Sequence, residues 1–364
     1  MKKIISIFIS FTCLLLMLFL IIFKKNYFSE NENRYLENFP AFTANCLLSG
    51  DYTKKIDLYI SDHFPFREQF LSLKTYFLKY IGNIQISDIY IGKDNYLLEK
   101  YNKPKSNKSI ANILNRFITN NGDSKVEVMF VPTSTYIYSD KLPKGAINYD
   151  QKKVINYYKK NINTDFIDVI DSLKSHKNKN LYYKTDHHWT MIGAYYAYLD
   201  YCNYNNLVPI SYNIESINNN FYGTYYSKIL DNSLEKDTIY STNFSNNIKV
   251  KYDNKEISNR IYFNNFLNKK DKYNYYFGGN HEIITITNDN ISTNNKLLVI
   301  KDSYANNFIM FLINHYRQIT IIDPRYYNNS INQYINNYQY KNILFLYNLG
   351  TLDDDLGIRS INKK

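Results

Sequence analysis

Short hydrophobic runs alternate with helix-length amphipathic segments along most of the chain. Five runs have the length and composition of buried strands, namely 126–132, 166–170, 297–300, 319–322 and 343–347. Segments with apolar residues at three- and four-residue steps lie between them, including 154–162 and the run that begins near Thr190. The pattern predicts an α/β fold with a mostly parallel sheet and helices on both faces, because buried strands separated by helices form such sheets.

Three further segments have patterns of their own. Residues 51–78 repeat apolar side chains at helical spacing and are interrupted at Pro65, which predicts two helices. Residues 92–98 predict a strand that enters the main domain. Residues 207–289 are rich in Asn, Tyr and Ser, and pieces such as 283–287 alternate apolar and polar positions. We interpret this part as an insertion with antiparallel strands that shapes a substrate cleft.

The first 25 residues predict a membrane anchor. An uncharged run from Ile4 to Phe23 lies between two pairs of lysines and is long enough to span a bilayer. The run is long for a signal peptide, and no small-residue cleavage site follows it. We therefore predict an N-terminal transmembrane helix and a single-pass cell-membrane protein whose main domain is extracytoplasmic. Cleavage of the segment would instead give a secreted protein.

These patterns divide the chain into four parts. We predict a signal anchor at 1–25, a linker and helical segment at 26–90, an α/β domain at 91–350 with an insertion at 205–290, and a tail at 351–364.

Charge and cysteine content narrow the classes of partner. The formal net charge is +11, but the lysines are scattered and no nucleic-acid-binding signature is present, so a nucleic-acid partner is not predicted. The positive field favours an anionic cell surface or polymer. Three cysteines support neither a disulfide framework nor a zinc cluster, and a single bridge between Cys46 and Cys202 stays open.

The most reactive stretch of the sequence is Asp186-His187-His188-Trp189. Alternate residues of an extended chain face the same side, so Asp186 and His188 are predicted to point together and His187 to point away. Ser303 lies where the strand at 297–300 turns into a helical pattern. Active-site groups collect at the carboxyl ends of parallel strands, so Ser303, His188 and Asp186 form a candidate nucleophile, base and acid. Taken alone, Ser303 fits the N-cap of an ordinary helix equally well.

Several neighbouring residues are candidates for binding substrate or stabilising an oxyanion. Trp189 either packs beneath the turn or stacks on a sugar, and Tyr304 either lines an acyl pocket or packs. The backbone amides of the helix after Ser303 are candidates for an oxyanion hole. Gly279 and Asn280 either complete this oxyanion hole or form an ordinary turn. Arg325 holds substrate or pairs with a nearby acid. Adjacent side chains diverge, so His187 and His188 do not predict a metal site, and no cofactor is predicted.

Four motifs in order resemble one known family. They are Asp62-His-Phe-Pro-Phe-Arg67, Thr185-Asp-His-His-Trp-Thr190, Lys301-Asp-Ser-Tyr304 and Asp323-Pro-Arg-Tyr326. This set resembles the DHHW family, whose members are SGNH-hydrolase-like and similar to the alginate O-acetyltransferases. The resemblance implies an SGNH-like domain and assigns the roles of nucleophile, base and acid to Ser303, His188 and Asp186.

The same resemblance implies a function and its partners. It implies transfer of acetyl groups to hydroxyls of an extracytoplasmic polysaccharide, often beside a membrane-bound O-acyltransferase that supplies the acetyl group. Two alternatives stay open. One is a carbohydrate O-acetyl esterase with the same triad, and the other is a non-catalytic cell-surface assembly protein that keeps the fold.

Overall fold

The computed structural model describes residues 2–22, 26–244, 247–253, 255 and 257–363. The residues left out belong to the predicted anchor (1 and 23–25), the predicted insertion (245, 246, 254 and 256) and the predicted tail (364). The chain divides into two units. Unit 1 comprises Met1–Ser87 and Tyr226–Leu234, and unit 2 comprises Asp88–Tyr225 and Glu235–Lys364.

Unit 1 is mainly helical. Its elements are α1 (Lys2–Ile22), β1 (Phe28–Ser29), β2 (Arg34–Tyr35), α2 (Ala44–Leu48), α3 (Asp51–Asp62), α4 (Arg67–Tyr80) and β3 (Gln85–Ile86). The two helices predicted on either side of Pro65 are confirmed as α3 and α4. The predicted transmembrane helix is not found, since no helix in the described ranges is both long and apolar enough to cross a membrane.

Unit 2 contains the remaining strands and helices. In chain order they are β4 (Ile89–Ile91), β5 (Leu97–Glu99), α5 (Asn107–Asn120), β6 (Lys125–Val131), α6 (Ser134–Ile137), α7 (Gln151–Asn161), β7 (Asp165–Phe166), α8 (Ile170–Ser175), α9 (Met191–Tyr204), β8 (Ile214–Phe221), α10 (Thr224–Ile229, which runs on into unit 1), β9 (Asp237–Thr242), β10 (Ile248–Tyr252), β11 (Ile257–Ser258), β12 (Ile283–Asn288), β13 (Lys296–Lys301), α11 (Ala305–Leu312), β14 (Gln318–Ile322), α12 (Ile331–Tyr338), β15 (Asn342–Asn348) and α13 (Leu349–Leu352).

An eight-stranded sheet forms the centre of unit 2, with the order β11-β10-β12-β14-β13-β15-β6-β7. The strands from β14 to β7 run parallel to one another. The predicted, mostly parallel α/β sheet is therefore confirmed. β12, β10 and β11 extend it in antiparallel pairing. The segment interpreted as an insertion thus supplies one edge of the main sheet as well as the separate β8–β9 hairpin.

Helices cover both faces of this sheet, as predicted. Along β13, Leu297 and Val299 belong to the core cluster that includes α9 and α11, whereas Leu298 and Ile300 belong to the cluster that includes α5, α7 and α12. Successive side chains of a strand point to opposite faces, so one continuous apolar strand contributes to both cores. All eight residues of α11 are buried.

Two predicted strands differ from the structure. Residues 92–96 form a turn between β4 and β5, and of the predicted strand only Leu97 and Leu98 lie in β5, because Asp94 and Asn95 adopt left-handed backbone angles with φ of 55° and 63°. The strand predicted at 166–170 ends at Phe166. The Asp168 carboxylate accepts a hydrogen bond from the Ile170 amide at 3.0 Å, and this local bond favours the start of α8 over continuation of the strand.

Candidate active site

Ser303 lies in the turn between β13 and α11, at the carboxyl edge of the sheet. The turn is held by Asp302, whose side chain is fully buried. One Asp302 oxygen accepts the Tyr304 amide at 2.9 Å, and the other accepts the Asn348 amide at 2.8 Å and the Thr351 hydroxyl at 2.6 Å. Asp302 therefore ties the turn to the end of the adjacent strand β15. Ser303 is left partly exposed in an otherwise buried segment.

The structure brings Ser303, His188 and Asp186 together. His188 Nδ1 lies 2.6 Å from Asp186 Oδ1, and His188 Nε2 lies 2.8 Å from Ser303 Oγ. The His188 backbone amide also donates to Asp186 Oδ1 at 3.0 Å. The side chains thus form a continuous hydrogen-bonded chain from a carboxylate through an imidazole to a hydroxyl, which is the order that activates a serine.

Asp186 is buried but well supplied with donors. Its second oxygen accepts the Thr224 amide at 2.8 Å and the Thr224 hydroxyl at 3.1 Å. Burial by itself raises the pKa of Asp186, but the neighbouring imidazoles and the Thr224 amide outweigh burial and hold this pKa well below its usual range. An ionised Asp186 keeps the proton of a neutral His188 on Nδ1. His188 Nε2 is then free to accept the proton of Ser303.

Gly223 leaves the room that Asp186 occupies. A Cβ atom at Gly223 would lie 2.2 Å from Asp186 Cβ and 2.3 Å from its Oδ2. We expect Gly223→Ala to displace Asp186 and lower the rate of the reaction expected at Ser303 by about 10²-fold, because a shift of about 1 Å in a catalytic group has an effect of this size. Steady-state kinetics on a chromogenic acetyl ester would measure it.

Gly122→Ala is the matched control for this substitution. The contact nearest to its added Cβ is Thr119 O at 3.8 Å, an ordinary van der Waals distance. A Gly223→Ala protein as active as Gly122→Ala would contradict the packing argument.

The prediction that His187 points away from Asp186 and His188 is wrong. Residues 184–188 form a series of bends instead of an extended strand, so the alternation of side chains does not apply. The rings of His187 and His188 lie 3.7 Å apart, and His187 Nδ1 lies 2.8 Å from the Thr224 hydroxyl. Burial, followed by the adjacent His188, lowers the pKa of His187 to about 4. His187 is thus neutral at pH 7.

This low pKa predicts a pH dependence of stability. The unfolded chain protonates His187 near pH 6.5, whereas the folded protein holds it neutral down to about pH 4. Unfolding therefore takes up a proton between these values, and stability falls as pH is lowered through this window, by roughly 3 kcal/mol. Urea denaturation of the wild type at pH 7 and pH 4 would measure the loss. His187→Asn should show a smaller loss, and an equal loss in both proteins would contradict this origin.

Tyr273 was not predicted and contacts both His188 and Ser303. Its ring stacks on the His188 ring, with 3.7 Å between centroids and 10° between planes, and its hydroxyl donates to the Ser303 carbonyl at 3.1 Å. An aromatic face stabilises a neighbouring cation, so this ring is placed to stabilise a positive charge that forms on the His188 ring. Nothing in the local sequence distinguishes Tyr273 from the other tyrosines around it.

The predicted oxyanion donors are placed differently. The amides of Tyr304, Ala305 and Asn306 are bonded to Asp302 or Ser303. Gly279 and Asn280 belong to a turn in which Gly279 has φ of 116° and donates to Tyr276 O, and no hydrogen bond within the described ranges joins either residue to the triad. Gly279 and Asn280 therefore fit the interpretation as an ordinary turn. The amide of Ser303 itself has no hydrogen-bond partner among the described residues, and it belongs to the same residue as the candidate nucleophilic hydroxyl.

Trp189 and Tyr304 support the turn from below. Trp189 is fully buried, stacks on Phe308 and donates from its indole to Tyr304 O at 2.8 Å. The Tyr304 side chain is also buried and its hydroxyl donates to the His187 carbonyl. Both rings are committed to packing, so stacking of Trp189 on a sugar and lining of a pocket by Tyr304 do not fit the structure.

Arg325 pairs with a neighbouring acid instead of an open site. Its guanidinium donates to both oxygens of buried Asp323, at 2.8 and 2.6 Å, and Lys301 Nζ lies 3.3 Å from the same carboxylate. Burial raises the pKa of Asp323, but Lys301 and Arg325 outweigh it and lower the pKa overall. The interpretation of Arg325 as the partner of an acid is the one that the structure supports.

We expect Arg325→Ala to lower the free energy of unfolding by roughly 3 kcal/mol, because removing one partner leaves a poorly compensated buried charge. The Michaelis constant for substrate should stay unchanged, since the guanidinium is committed to Asp323. Chemical denaturation and kinetics would measure both quantities. Arg260→Ala, at an exposed position, is the control. A raised Michaelis constant at unchanged stability would restore a substrate-binding role.

The side chains of Asp186, His187 and His188 also have the spacing of metal ligands. Asp186, His187 and His188 can each offer one ligand atom, all within 4.8 Å of one another. Both ring nitrogens of His188 already face protein partners, Asp186 and Ser303. A metal ion on His188 would have to displace one of these hydrogen bonds, so the arrangement favours proton transfer over metal binding.

Known proteins resemble this chain in sequence and in fold. The family model described as DHHW protein matches residues 75–322. No curated protein matches. A DHHW family protein from Eubacterium siraeum is 25% identical over 77% of this chain and 98% of its own, with a TM-score of 0.69.

Two further solved structures are more distant. Bacillus cereus PatB1, solved with a sulfonyl adduct, is 22% identical over 76% of this chain and 98% of its own, with a TM-score of 0.64. The O-acetyltransferase domain of Pseudomonas putida AlgJ is 14% identical over 75% of this chain and 98% of its own, with a TM-score of 0.48. The family match covers more than half of the sequence, and it includes the Asp-His-His-Trp motif. This chain therefore belongs to the DHHW family.

Proposed function

We propose that unit 2 is an SGNH-hydrolase-like O-acetyltransferase that moves acetyl groups to hydroxyls of a cell-surface or exported polysaccharide. The observation that carries the proposal is the hydrogen-bonded chain from Asp186 through His188 to Ser303. Membership of the DHHW family, whose members are similar to the alginate O-acetyltransferases, supports acetyl as the group transferred.

In the first half-reaction Ser303 accepts the acetyl group. Ser303 Oγ attacks the carbonyl carbon of a donor ester while His188 Nε2 takes the hydroxyl proton. Asp186 stabilises the imidazolium on the Nδ1 side, and Tyr273 stabilises it from the ring face. The Ser303 amide is a donor for the oxyanion of the tetrahedral intermediate. Collapse of this intermediate breaks the bond to the leaving alcohol, which takes the proton from His188.

In the second half-reaction a sugar hydroxyl replaces the donor alcohol. His188 Nε2 removes its proton as the oxygen attacks the acetyl-Ser303 carbonyl, and the proton then returns to Ser303 Oγ as the ester bond breaks. Water attacking in place of the sugar would make the same triad an esterase. Transferase and esterase thus differ only in which hydroxyl reaches the acyl-enzyme.

Product analysis separates the candidate functions. The full chain is incubated with an acetyl ester, with and without acceptor oligosaccharides, and free acetate and oligosaccharide mass are measured. We expect oligosaccharides that carry added acetyl groups and a lower yield of free acetate. Release of acetate that no acceptor changes would indicate the esterase. Unchanged acetylation of the cell surface in cells that carry Ser303→Ala and His188→Ala would indicate the non-catalytic assembly protein.

Location and acetyl supply are part of the proposal. The apolar N-terminal segment, which also fits an export signal, supports an extracytoplasmic unit 2. A membrane-bound O-acyltransferase is the proposed acetyl donor. Protease added to intact cells should digest unit 2 if it lies outside the cytoplasm, and full protection would contradict this location. Co-purification of a membrane-bound O-acyltransferase with the full chain after cross-linking would test the proposed acetyl donor.

A further inference from the structure

The helix α4 in unit 1 exposes its apolar side. Five residues of its outward side, together with Ile81 just after its end, are large and apolar or aromatic, and they are 54–79% exposed. They are Phe70, Leu73, Tyr76, Phe77, Tyr80 and Ile81. Most recur at three- or four-residue steps and therefore form one continuous stripe, which we call the α4 apolar face. Exposed apolar patches of this kind mark interaction surfaces.

The opposite side of α4 makes polar contacts within unit 1. Thr75 is buried and donates from its hydroxyl to Ile229 O. Lys79 pairs with Asp231 at 2.5 Å, and the Ser72 hydroxyl accepts from Asn232 at 3.1 Å. These polar contacts therefore hold the helix so that the α4 apolar face is turned outward. Exposure of the stripe is a property of the fold rather than of a displaced helix.

The charges around the stripe favour an anionic surface. The only acidic side chain of α4, Glu68, is turned inward, where it accepts hydrogen bonds from Ser29 and Asn31. The charged residue beside the stripe is Lys74, which is exposed. The chain as a whole carries a net charge of +11, which opposes close approach of a second copy.

Other features of the same unit also favour lipid. Tyr76 and Tyr80 combine an apolar ring with a polar hydroxyl. Amphipathic aromatic side chains of this kind are enriched at the level of the lipid headgroups. The α1 residues Ile4, Ile7 and Phe8 are 69–71% exposed as well. Large exposed apolar side chains are thus concentrated in unit 1 within the part of the chain that the structure describes.

We propose that the α4 apolar face docks onto the headgroup region of an anionic lipid bilayer. Phe70, Leu73 and Phe77 enter the apolar boundary, the two tyrosines lie among the headgroups, and Lys74 pairs with lipid phosphate. This inference is independent of the acetyltransferase proposal, since it rests on unit 1 alone.

Fluorescence quenching by lipid tests the proposal in the full chain. Tyr80→Trp is mixed with vesicles of phosphatidylcholine and phosphatidylglycerol whose acyl chains are brominated. The natural Trp189 is fully buried, so its signal from the wild type can be subtracted. We expect the emission of Tyr80→Trp to shift to shorter wavelength and to lose most of its intensity. Leu73→Glu in the same protein should restore the intensity, and vesicles without phosphatidylglycerol should quench less.

Tyr338→Trp is the matched control, because Tyr338 is also an exposed tyrosine at the last position of a helix, α12 of unit 2. It should not be quenched. Sedimentation with the vesicles shows that the protein is bound to them. If bound Tyr80→Trp and bound Tyr338→Trp are quenched equally and weakly, the proposal is overturned. A concentration-dependent blue shift of Tyr80→Trp without vesicles would also overturn it, in favour of a second copy. Equal quenching by both vesicle types would overturn the anionic preference.

Discussion

Ser303→Ala is expected to lower kcat for acetyl transfer by about 10⁴ to 10⁶-fold, because the substitution removes the only atom that can form the acyl-enzyme in the proposed mechanism. His188→Ala should have an effect of similar size, and the double variant should be little worse than either. Such non-additivity follows when two residues act as one unit. Stopped-flow kinetics with an acetyl ester would measure the rates, and intact-mass spectrometry would detect the acetyl adduct.

Ser134→Ala is the control for the loss of a serine hydroxyl. Ser134 follows β6, another parallel strand of the same sheet, and its buried hydroxyl makes no hydrogen bond with any residue that the structure describes. It should keep full activity. An acetyl adduct that persists in Ser303→Ala would show that another residue is the nucleophile.

Asp186→Asn is expected to lower kcat by about 10⁴-fold while the fold is kept. Two donors, the Thr224 amide and hydroxyl, face one oxygen of the side chain at 186, whereas the other oxygen faces a single backbone donor, the His188 amide, so an asparagine there turns its oxygen towards Thr224. Its amide nitrogen then donates to His188 Nδ1. The imidazole proton must move to Nε2, which faces Ser303 and can no longer accept the hydroxyl proton.

The pH profile of kcat and far-ultraviolet circular dichroism would separate this effect from unfolding. The control is Asp253→Asn, because Asp253 forms an aspartate–histidine hydrogen bond with His281 at 2.7 Å, a pair separate from the triad. Full activity in Asp186→Asn would mean that the carboxylate does not set the tautomer of His188.

Much of the sheet could be predicted from local pattern. The strands near 126–132, 297–300, 319–322 and 343–347 were recognisable because burial on both faces requires continuous apolar runs. The antiparallel edge of β10, β11 and β12 could not be assigned to the same sheet, since strand pairing depends on contacts between residues far apart in sequence. Where Asp94, Asn95 and Asp168 redirect the backbone locally, the apolar pattern predicted strands that extend beyond the ones that form.

The sequence by itself determined which groups could do acid–base chemistry and at which edge of the sheet they would lie. It did so because strand ends and side-chain types are local properties, and it identified Asp186, His188 and Ser303. Only the tertiary structure decided their partners. Thr224 and Tyr273 come from other parts of the chain, and Asp302 holds the Ser303 turn through bonds to the distant Asn348 and Thr351. The bends at 184–188 turn His187 towards His188. Distances, burial and tautomers depend on packing between distant segments, which no local pattern encodes.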